Sequence, residues 1–232
     1  LKAGDKDSEG NAIMHSFWAP EIHEIDGRLT ILFMAGYGNT WSNGKSVYMQ
    51  LKQDADGHDL DPADPDNWTV PTPIYRNDAS LLNGNKQLAA TASGGVGMSL
   101  DMTYFQDADG RSYYAWQQLG ATYIATMDPK DPAHVTSSPV RIVTPEYAWN
   151  AAIAEGPNVT LRDGKLYLMF SGSGVGKTYT TGLAVADASG TDLTDPASWT
   201  VLNYPIQKSG PFNGEMPVSY THLRAHETSQ DL

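Results

Sequence analysis

Short runs of alternating or β-branched apolar residues, separated by turn residues, make up most of this chain. No stretch keeps apolar residues at positions i, i+3, i+4 and i+7 for long, which is the spacing that an amphipathic helix requires. Alternation with a period of two instead places successive side chains on opposite faces of a strand. The pattern therefore predicts an all-β protein.

Three segments of the chain share the order strand, Asp-Gly-basic turn, strand, and this order is typical of a β-hairpin. Their turn glycines are Gly27, Gly110 and Gly164, which lie 83 and 54 residues apart. A third strand is expected after each hairpin. The hairpins are predicted over Ile22–Phe33, Tyr104–Trp116 and Val159–Phe170, and the third strands over Ser46–Leu51, Ala121–Thr126 and Thr181–Ala186.

A fourth strand is predicted after a Pro/Asp turn in each repeat. Asp64–Val70 and Asp195–Val201 share the pattern Asp-Pro-x-x-Trp-Thr-Val, and Pro139–Val143 is the third candidate. Four antiparallel strands that recur in this way are typical of the blades of a β-propeller. A closed propeller has about 4–8 blades, so the roughly three blades predicted here form an incomplete one.

Composition narrows the classes of function. The 232 residues carry a net charge of −12, with 40% apolar and 18% charged residues, which is usual for a folded globular protein. An acidic chain lacks the basic face that nucleic-acid binding requires. The chain has no cysteine, which excludes disulfides, and no apolar run of the roughly 20 residues that a membrane helix needs. These values suit a protein that acts on a neutral ligand such as a sugar.

Residues 218–232 interrupt the pattern, because they show neither strand alternation nor turn residues. They resemble a translated sequencing adapter, and we therefore exclude them from the predicted fold as a non-native tail. A natural C-terminal tail is the alternative interpretation. Since the sequence also starts at Leu1 without an initiator Met, we expect a segment that is incomplete at its N-terminus.

Two carboxylates stand at the edges of strand-like runs. Glu155 lies between Ala151–Ala154 and a Gly-Pro pair, and Asp101 precedes an apolar strand. A carboxyl group in a partly dry site has the raised pKa that a general acid needs, and a second carboxylate beside it raises that pKa further. The alternatives are a surface glutamate in a turn and an aspartate that caps a turn.

Trp18 leads into the first hairpin, and its aromatic face could stack on a sugar ring; a core tryptophan is the alternative. Glu21 and His23 follow it and are more readily explained by roles within the strand. The acidic turns Asp54–Gly57 and Asp107–Gly110 lack the ligand spacing of an EF-hand and are predicted to be hairpin turns. Gly172–Thr178 lacks the full phosphate-loop spacing and is predicted to be an inter-strand loop.

Together these residues resemble glycoside hydrolase family 43, the five-bladed propellers that hydrolyse arabinans and xylans. The matching motifs include Trp18-Ala-Pro-Glu-Ile-His, Ser99-Leu-Asp-Met-Thr-Tyr-Phe and Glu155-Gly-Pro, followed by Asp163-Gly-Lys-Leu-Tyr. Their order and spacing agree over roughly residues 15–206, and the residues within the motifs are most similar to those of the exo-α-L-arabinofuranosidase branch. Residues 1–217 are accordingly interpreted as an incomplete propeller catalytic domain.

The resemblance implies an inverting mechanism with Glu155 as the general acid and Asp101 as the residue that raises its pKa and orients it. The general base would be an Asp upstream of Leu1, since Asp5 and Asp7 lack its strand context. No cofactor is implied for the chemistry. A structural calcium or sodium ion is possible in the complete protein, although Gly210–Asn213 departs from the family's metal-associated Gly-Pro-Gly-His motif.

The implied substrate is terminal α-L-arabinofuranose on arabinan or arabinoxylan of plant cell walls, and the implied location is secreted or periplasmic, in a bacterium. The resemblance implies neither a nucleic-acid nor a membrane partner. A β-xylosidase or an endo-arabinanase of the same family is an alternative. A sugar-binding propeller without catalysis is a further one.

Overall fold

The computed structural model describes residues 1–39, 43–82, 98–176 and 178–208. The tail 218–232, the segment Gly210–Asn213 and most of the loop Asn77–Gly97 therefore lie outside the described residues. Within the described ranges the regular elements are β-strands and short 3₁₀ turns, which confirms the all-β prediction. No helix in these ranges is long and apolar enough to span a membrane.

The first sheet contains four antiparallel strands that are hydrogen-bonded in the order of the sequence. The hairpin predicted over Ile22–Phe33 is longer than the sequence suggested, because its first strand already begins at Ile13. The strands of this sheet are β1 (Ile13–Ile25), β2 (Arg28–Tyr37), β3 (Gly44–Gln50) and β4 (Thr72–Pro73).

The second sheet has six strands, in the order β5-β9-β8-β7-β6, with β10 also paired to β8. The sequence named one fourth strand here, whereas two strands pair with successive parts of β8: Val135 with Met127, and Val140 with Ile124. The first strand of this sheet runs parallel to β9, which departs from the expected purely antiparallel blade. Its strands are β5 (Tyr75–Arg76), β6 (Leu100–Gln106), β7 (Ser112–Gln118), β8 (Ala121–Asp128), β9 (Asp131–Val135) and β10 (Val140–Val143).

The third sheet repeats the four-strand order and adds a short fifth strand on β13. In its second strand Leu166, Leu168 and Phe170 are buried and the residues between them are less so, as the period of two requires. Its strands are β11 (Ala154–Arg162), β12 (Lys165–Gly172), β13 (Thr180–Asp187), β14 (Thr200–Val201) and β15 (Gln207–Lys208).

The predicted Asp-Gly hairpin turns are confirmed. In Asp26-Gly27 and Asp163-Gly164 both residues have positive φ, which is the conformation of a two-residue type I′ turn. The turn at Gly110 is longer, and it is organised by the buried Asp107, whose carboxylate accepts hydrogen bonds from the backbone N–H of Asp109 and Arg111. Arg111 Nε adds a bond of 2.6 Å to the same carboxylate, so this turn is held by its own protein donors.

The two Asp-Pro-x-x-Trp segments begin with a turn, and the predicted fourth strand follows within the segment only in the third sheet, as β14. Each forms a 3₁₀ turn, Pro65–Asn67 or Pro196–Ser198, in which the preceding aspartate caps a backbone N–H at 2.9 Å. Proline suits this first position because its missing N–H would have no partner there. In the first sheet the strand therefore comes only at Thr72–Pro73, after the predicted segment has ended.

The chain divides into two compact units. The first contains Leu1–Tyr104, Ser112–Tyr114 and Ala125–Pro139, and the second contains Phe105–Arg111, Ala115–Ile124 and Val140–Leu232. The first unit has a buried apolar cluster built on β1, β2 and β3, whose members are Ile13, Phe33, Ala35, Tyr37 and Val47. In the second unit the buried side chains include Trp116, Ile124, Leu168, Phe170 and Ala184.

Candidate active site

Glu155 is the second residue of β11, in the second unit, and its side chain is half-buried. It lies opposite Ser171 in the register of β11 and β12, and the next pair is Asn158 with Met169. One extra residue therefore bulges from β11 directly after Glu155. Gly156 occupies this bulge with a φ of 59°, a conformation that glycine adopts without the cost that a side chain would add.

The environment of Glu155 raises the pKa of its carboxyl group. Burial is the larger cause, because it disfavours the charged form, and a hydrogen bond from Tyr179 acts in the opposite direction. The Tyr179 hydroxyl donates to Glu155 Oε1, and its side chain is only 8% exposed. A carboxyl group that retains its proton towards neutral pH has the property that a general acid needs.

A turn just before β11 holds the start of this strand in place. Tyr147 N–H donates to Asn150 Oδ1 at 2.8 Å, and the Trp149 ring stacks on Phe170 of β12 at 6.0 Å. The Thr180 hydroxyl donates to the backbone oxygens of both Trp149 and Gly172, at 3.1 Å each. The turn is therefore fastened to β12, which pairs with the strand of Glu155, and to β13 on the other side of β12.

Two further hydrogen bonds fix Ala154, the residue before Glu155. Its N–H donates to the backbone oxygen of Gly120 at 2.8 Å, and its own oxygen accepts from the Thr122 hydroxyl at 3.0 Å. Both partners belong to the second unit. The backbone directly before Glu155 is thus held through both polar groups of Ala154, which favours a fixed carboxyl position.

Asp101 is the second residue of β6 and lies in the first unit, partly buried. Its φ is 55°, a left-handed conformation that is uncommon for a residue with a side chain and that occurs often at functional sites. The strand is anchored just before it, since Ser99 Oγ accepts from the N–H of Ser46 at 2.9 Å. The role predicted for Asp101 towards Glu155 stays a prediction.

Trp18 lies on β1 opposite Met34, in the first unit, and is 46% exposed. This exposure does not fit a core tryptophan, and stacking on a sugar stays the prediction for it. As at Glu155, the pair that contains Trp18 is followed by one extra residue in the strand, because the next pair is Glu21 with Leu32. Trp18 and Glu155 therefore occupy the same position relative to the bulge in their two sheets.

A row of neighbouring residues connects Trp18 with the start of β6. Met34 lies opposite both Trp18 and Ser46, and Ser46 is bonded to Ser99, two residues before Asp101. Trp18 and Asp101 are therefore held at the same end of the first unit. The separation between this pair and Glu155 is left as a prediction.

The other sequence candidates have structural partners. His23 Nε2 and Glu21 Oε2 are 2.8 Å apart, and the His23 ring meets Tyr104 edge-on. Asp5 accepts from the N–H of Lys2. Asp7 is buried and accepts from the N–H of Asn11 and from the Tyr37 hydroxyl, at 2.8 and 2.9 Å. These bonds fit roles within strands and turns, as the sequence indicated.

Three neighbouring side chains among the described residues have the spacing of a possible metal site. Asp54, Asp56 and His58 have side-chain ligand atoms within 4.8 Å of one another, and all three residues are exposed. One oxygen of Asp54 accepts from the N–H groups of the other two, both at 2.9 Å, as a turn requires. This confirms the predicted hairpin turn, and such an exposed group does not by itself make a metal site.

The described part of the first unit contains an apolar cavity of about 470 Å³. Phe17, Phe33, Met49 and Trp68 contribute to its lining, and Trp18 is not among the lining residues. A sugar site needs polar groups that match the hydroxyls. This cavity is consequently not the candidate active site.

The sequence did not reveal Tyr179 or Asn150, although both determine the surroundings of Glu155. Tyr179 follows a glycine-rich loop, and that loop was the available signal, because such loops allow a chain to turn sharply. Asn150 lies three residues after Tyr147 and closes the turn through its side chain. Both contacts depend on how strands meet, which a period of two does not specify.

The repeated sheets and the half-buried carboxyl group are features of an all-β glycoside hydrolase. A family model described as "Glycosyl hydrolases family 43" matches residues 2–222. The chain therefore belongs to glycosyl hydrolase family 43, as the sequence motifs indicated.

Several characterised proteins are similar to this chain. It is 27% identical over 220 residues to an extracellular exo-alpha-(1->5)-L-arabinofuranosidase of Streptomyces avermitilis, with 90% of this chain and 40% of that protein covered. It is 28% identical to alpha-L-arabinofuranosidase 43 of Humicola insolens, with 87% and 40% covered. The chain thus spans less than half of the length of these two relatives.

The solved structures agree with the fold. The crystal structure of an alpha-L-arabinofuranosidase from Lactobacillus brevis matches with a TM-score of 0.65 at 24% identity, covering 87% of this chain and 62% of that one. A thermostable family-43 glycoside hydrolase matches with a TM-score of 0.59 at 20% identity, with 85% and 57% covered. At these identities the likeness concerns the fold, and it agrees with the propeller blades predicted from sequence.

Proposed function

We propose that this chain carries the general acid of an inverting α-L-arabinofuranosidase that releases terminal arabinose from arabinan or arabinoxylan. The observation that supports this most directly is Glu155, a half-buried carboxyl group with a raised pKa in a family-43 chain. The curated relatives whose names are given above are arabinofuranosidases, which favours arabinose as the sugar released.

In the proposed reaction Glu155 protonates the glycosidic oxygen while a water molecule attacks the anomeric carbon from the opposite face. Inversion requires room for this water, so the acid and base carboxyl groups should lie about 6.5–9.5 Å apart. Asp101 is proposed to raise the pKa of Glu155 and to orient it, and Trp18 is proposed to stack on a sugar ring. No cofactor is needed for these steps.

The general base is proposed to come from a segment that this sequence does not contain. Asp5 and Asp7 bind turn N–H groups, and these bonds leave them poorly suited to activate water. Residues 1–232 alone should therefore turn over an aryl arabinofuranoside at close to the uncatalysed rate. Rapid turnover by this chain would refute the proposed source of the base.

The acid role of Glu155 is tested in the full-length protein with Glu155→Gln. Activity should fall about 100-fold or more on substrates whose leaving groups need a proton, and much less on activated aryl glycosides, because their leaving groups depart as anions. Glu146→Gln is the matched control, since Glu146 is exposed and its loss should affect neither substrate. Equal losses on both substrates would contradict the acid role.

The sugar preference separates the alternatives within the family. Aryl arabinofuranoside should be cleaved at least tenfold faster than aryl xyloside at equal concentration, and arabinan should yield single arabinose units. Preferential cleavage of the xyloside would favour a β-xylosidase, and oligosaccharide products would favour an endo-arabinanase. Binding without any product in calorimetry would favour a sugar-binding propeller.

The proposed location is outside the cytoplasm, in a bacterium. The relative from Streptomyces avermitilis is described as extracellular, and plant polysaccharides are too large to enter a bacterial cell intact. Activity in the culture supernatant or periplasmic fraction would support this location. Activity restricted to the cytoplasmic fraction would contradict it.

A further inference from the structure

Glu155 has a neighbour that the proposed mechanism has not yet used, namely the nearly buried Tyr179. Its hydroxyl donates a hydrogen bond to Glu155 Oε1. Building on the proposed acid role of Glu155, we propose that Tyr179 is a positioning residue that holds this carboxyl group and determines which of its two oxygens carries the proton.

The loop between β12 and β13 brings Tyr179 to this position. Tyr179 N–H donates to the oxygen of Gly176 at 3.1 Å, and the Thr178 hydroxyl donates to the oxygen of Gly174 at 3.1 Å. Ser173 and Gly176 have φ values of 72° and 119°, so the backbone turns sharply on the way. The described residues of this glycine-rich segment, which resembled a phosphate loop only superficially, make these turns directly before Tyr179.

The strand beyond the loop keeps Tyr179 in place. Thr180 follows Tyr179 directly and is bonded through its hydroxyl to the backbone of both Trp149 and Gly172. Thr181 lies opposite Ser171, the residue that pairs with Glu155. The backbone next to Tyr179 is therefore bonded to β12, which pairs with the strand of Glu155, and to the turn before that strand.

The hydrogen bond distinguishes the two oxygens of the carboxyl group. Oε1 accepts the hydrogen bond from the Tyr179 hydroxyl, so the acidic proton of the neutral Glu155 resides on Oε2. In the proposed reaction Oε2 is the atom that faces the glycosidic oxygen. When that proton moves to the glycosidic oxygen, the bond from this oxygen to the anomeric carbon breaks and its electron pair stays on the departing oxygen. The attacking water forms the new bond to the anomeric carbon and gives its proton to the general base. Glu155 becomes a carboxylate, and Tyr179 keeps its own proton.

Tyr179 stabilises the product of this transfer more than the starting state. A hydrogen bond to a carboxylate is stronger than one to a neutral acid, so Tyr179 promotes loss of the proton, whereas burial opposes it. Burial and the Tyr179 hydrogen bond are the causes that act on the pKa of Glu155, and Ser171, which lies opposite Glu155 on β12, carries no charge. On the side of the preceding turn, Asn150 and Trp149 carry no charge.

The test is a direct NMR titration of Glu155 in residues 1–232, with the glutamate carboxyl groups labelled with ¹³C. Tyr179→Phe removes the hydroxyl and keeps the ring, and it should raise the pKa of Glu155 because the hydrogen bond that favours the carboxylate is lost. Tyr167→Phe is the matched control, because Tyr167 lies on β12 opposite Thr160 and Val185. This control should leave the titration of Glu155 unchanged.

A second variant covers the case in which Tyr179→Phe does not fold. Replacing Tyr179 by 3-fluorotyrosine keeps the shape and makes the hydroxyl a stronger donor, so the pKa of Glu155 should fall. An unchanged titration of Glu155 in a folded Tyr179→Phe or 3-fluorotyrosine protein would overturn the proposal.

Kinetics of the full-length protein provide the functional half of the test. Tyr179→Phe should move the alkaline limb of the kcat profile to higher pH and lower kcat at least tenfold on substrates that need protonation, with little change in KM. Equal loss on activated and unactivated substrates would reduce Tyr179 to a structural residue. If the NMR shift occurs but Glu155→Gln retains full activity, the acid role fails while the contact itself stands.

Discussion

Glu155 is subject to two influences that oppose each other within one side chain. Burial raises the pKa of its carboxyl group and the Tyr179 hydroxyl lowers it, with burial the larger. The folded protein therefore binds the Glu155 proton more tightly than the unfolded chain does. The Glu155 carboxylate is costly to bury, and it lies at the position where a proton donor is proposed to act.

This cost predicts a pH-dependent gain in stability for Glu155→Gln. Because the folded pKa is raised, the free energy of unfolding of the wild type falls as pH rises from about 4.3, the ordinary value for glutamate, towards the raised value. The variant lacks this loss, so its thermal midpoint should exceed that of the wild type at pH 7.5 and match it near pH 4. Thermal unfolding at both pH values checks this, and an equal difference at both would contradict it.

A change at Asp101 should move the same group in the opposite direction from Tyr179→Phe. If Asp101 raises the pKa of Glu155 by repulsion, Asp101→Asn removes that repulsion and lowers the pKa. The alkaline limb of kcat in the full-length protein should then shift to lower pH. Asp128→Asn, at an exposed position of β8, is the control. A limb that stays in place would leave Asp101 with a role in orientation alone.

At the level of elements, one strand of each sheet contains a left-handed residue at, or directly after, a candidate site residue. These residues are Ala19 in β1, Asp101 in β6 and Gly156 in β11, with φ values of 48°, 55° and 59°. A left-handed residue bends a strand and changes the direction of the side chains beside it. The three sheets therefore share a local distortion as well as a strand order.

Gly156→Ala tests the importance of this distortion. An alanine Cβ would have ordinary contact with Ser171 Oγ at 3.6 Å, so the cost should come from the positive φ alone, about 1 kcal/mol. Gly164→Ala is a matched control, since its φ is 74° and no atom lies within 4 Å of its Cβ position. Both variants should lose about 2–4 °C in thermal midpoint, but only Gly156→Ala should alter the titration of Glu155.

Sequence patterns could predict the hairpins because an Asp-Gly turn and a period of two are both local signals. They could not predict β9 beside β10, or β5 parallel to β9, because these pairings join segments that are distant in sequence. The fourth strand of the first sheet was misplaced because the 3₁₀ turn capped by Asp64 occupies the predicted segment, whereas β10 and β14 lie within their predicted segments. At the site, Glu155 and Asp101 followed from motifs, whereas Tyr179 depends on a tertiary contact.

At the scale of the whole molecule, an exposed apolar side chain lies at the wall of the apolar cavity of the first unit. Phe17 is 37% exposed and lines the apolar cavity of the first unit. Apolar surface of this kind commonly marks a site of association or aggregation. The exposure of this apolar surface in the first unit can be measured with a fluorescent dye that binds apolar groups.

We expect residues 1–232 to bind an apolar fluorescent dye such as anilinonaphthalene sulfonate while folded. Phe17→Ser should reduce the fluorescence by about half, because it removes one large apolar side chain from the cavity wall. Val175→Ser is the control, since Val175 is 73% exposed and lies outside that wall. Equal fluorescence for the wild type and Phe17→Ser would show that the cavity is not the dye site.

The left-handed positions in β1, β6 and β11 have a consequence for how such a protein can diversify. The residue at or just before the bend differs among the three sheets: tryptophan before Ala19, aspartate at the bend in β6, and glutamate before Gly156. The backbone shape thus recurs while the chemistry it presents is exchanged. A single inherited bend can accommodate a new reactive group by point substitution, without any rearrangement of strand pairing.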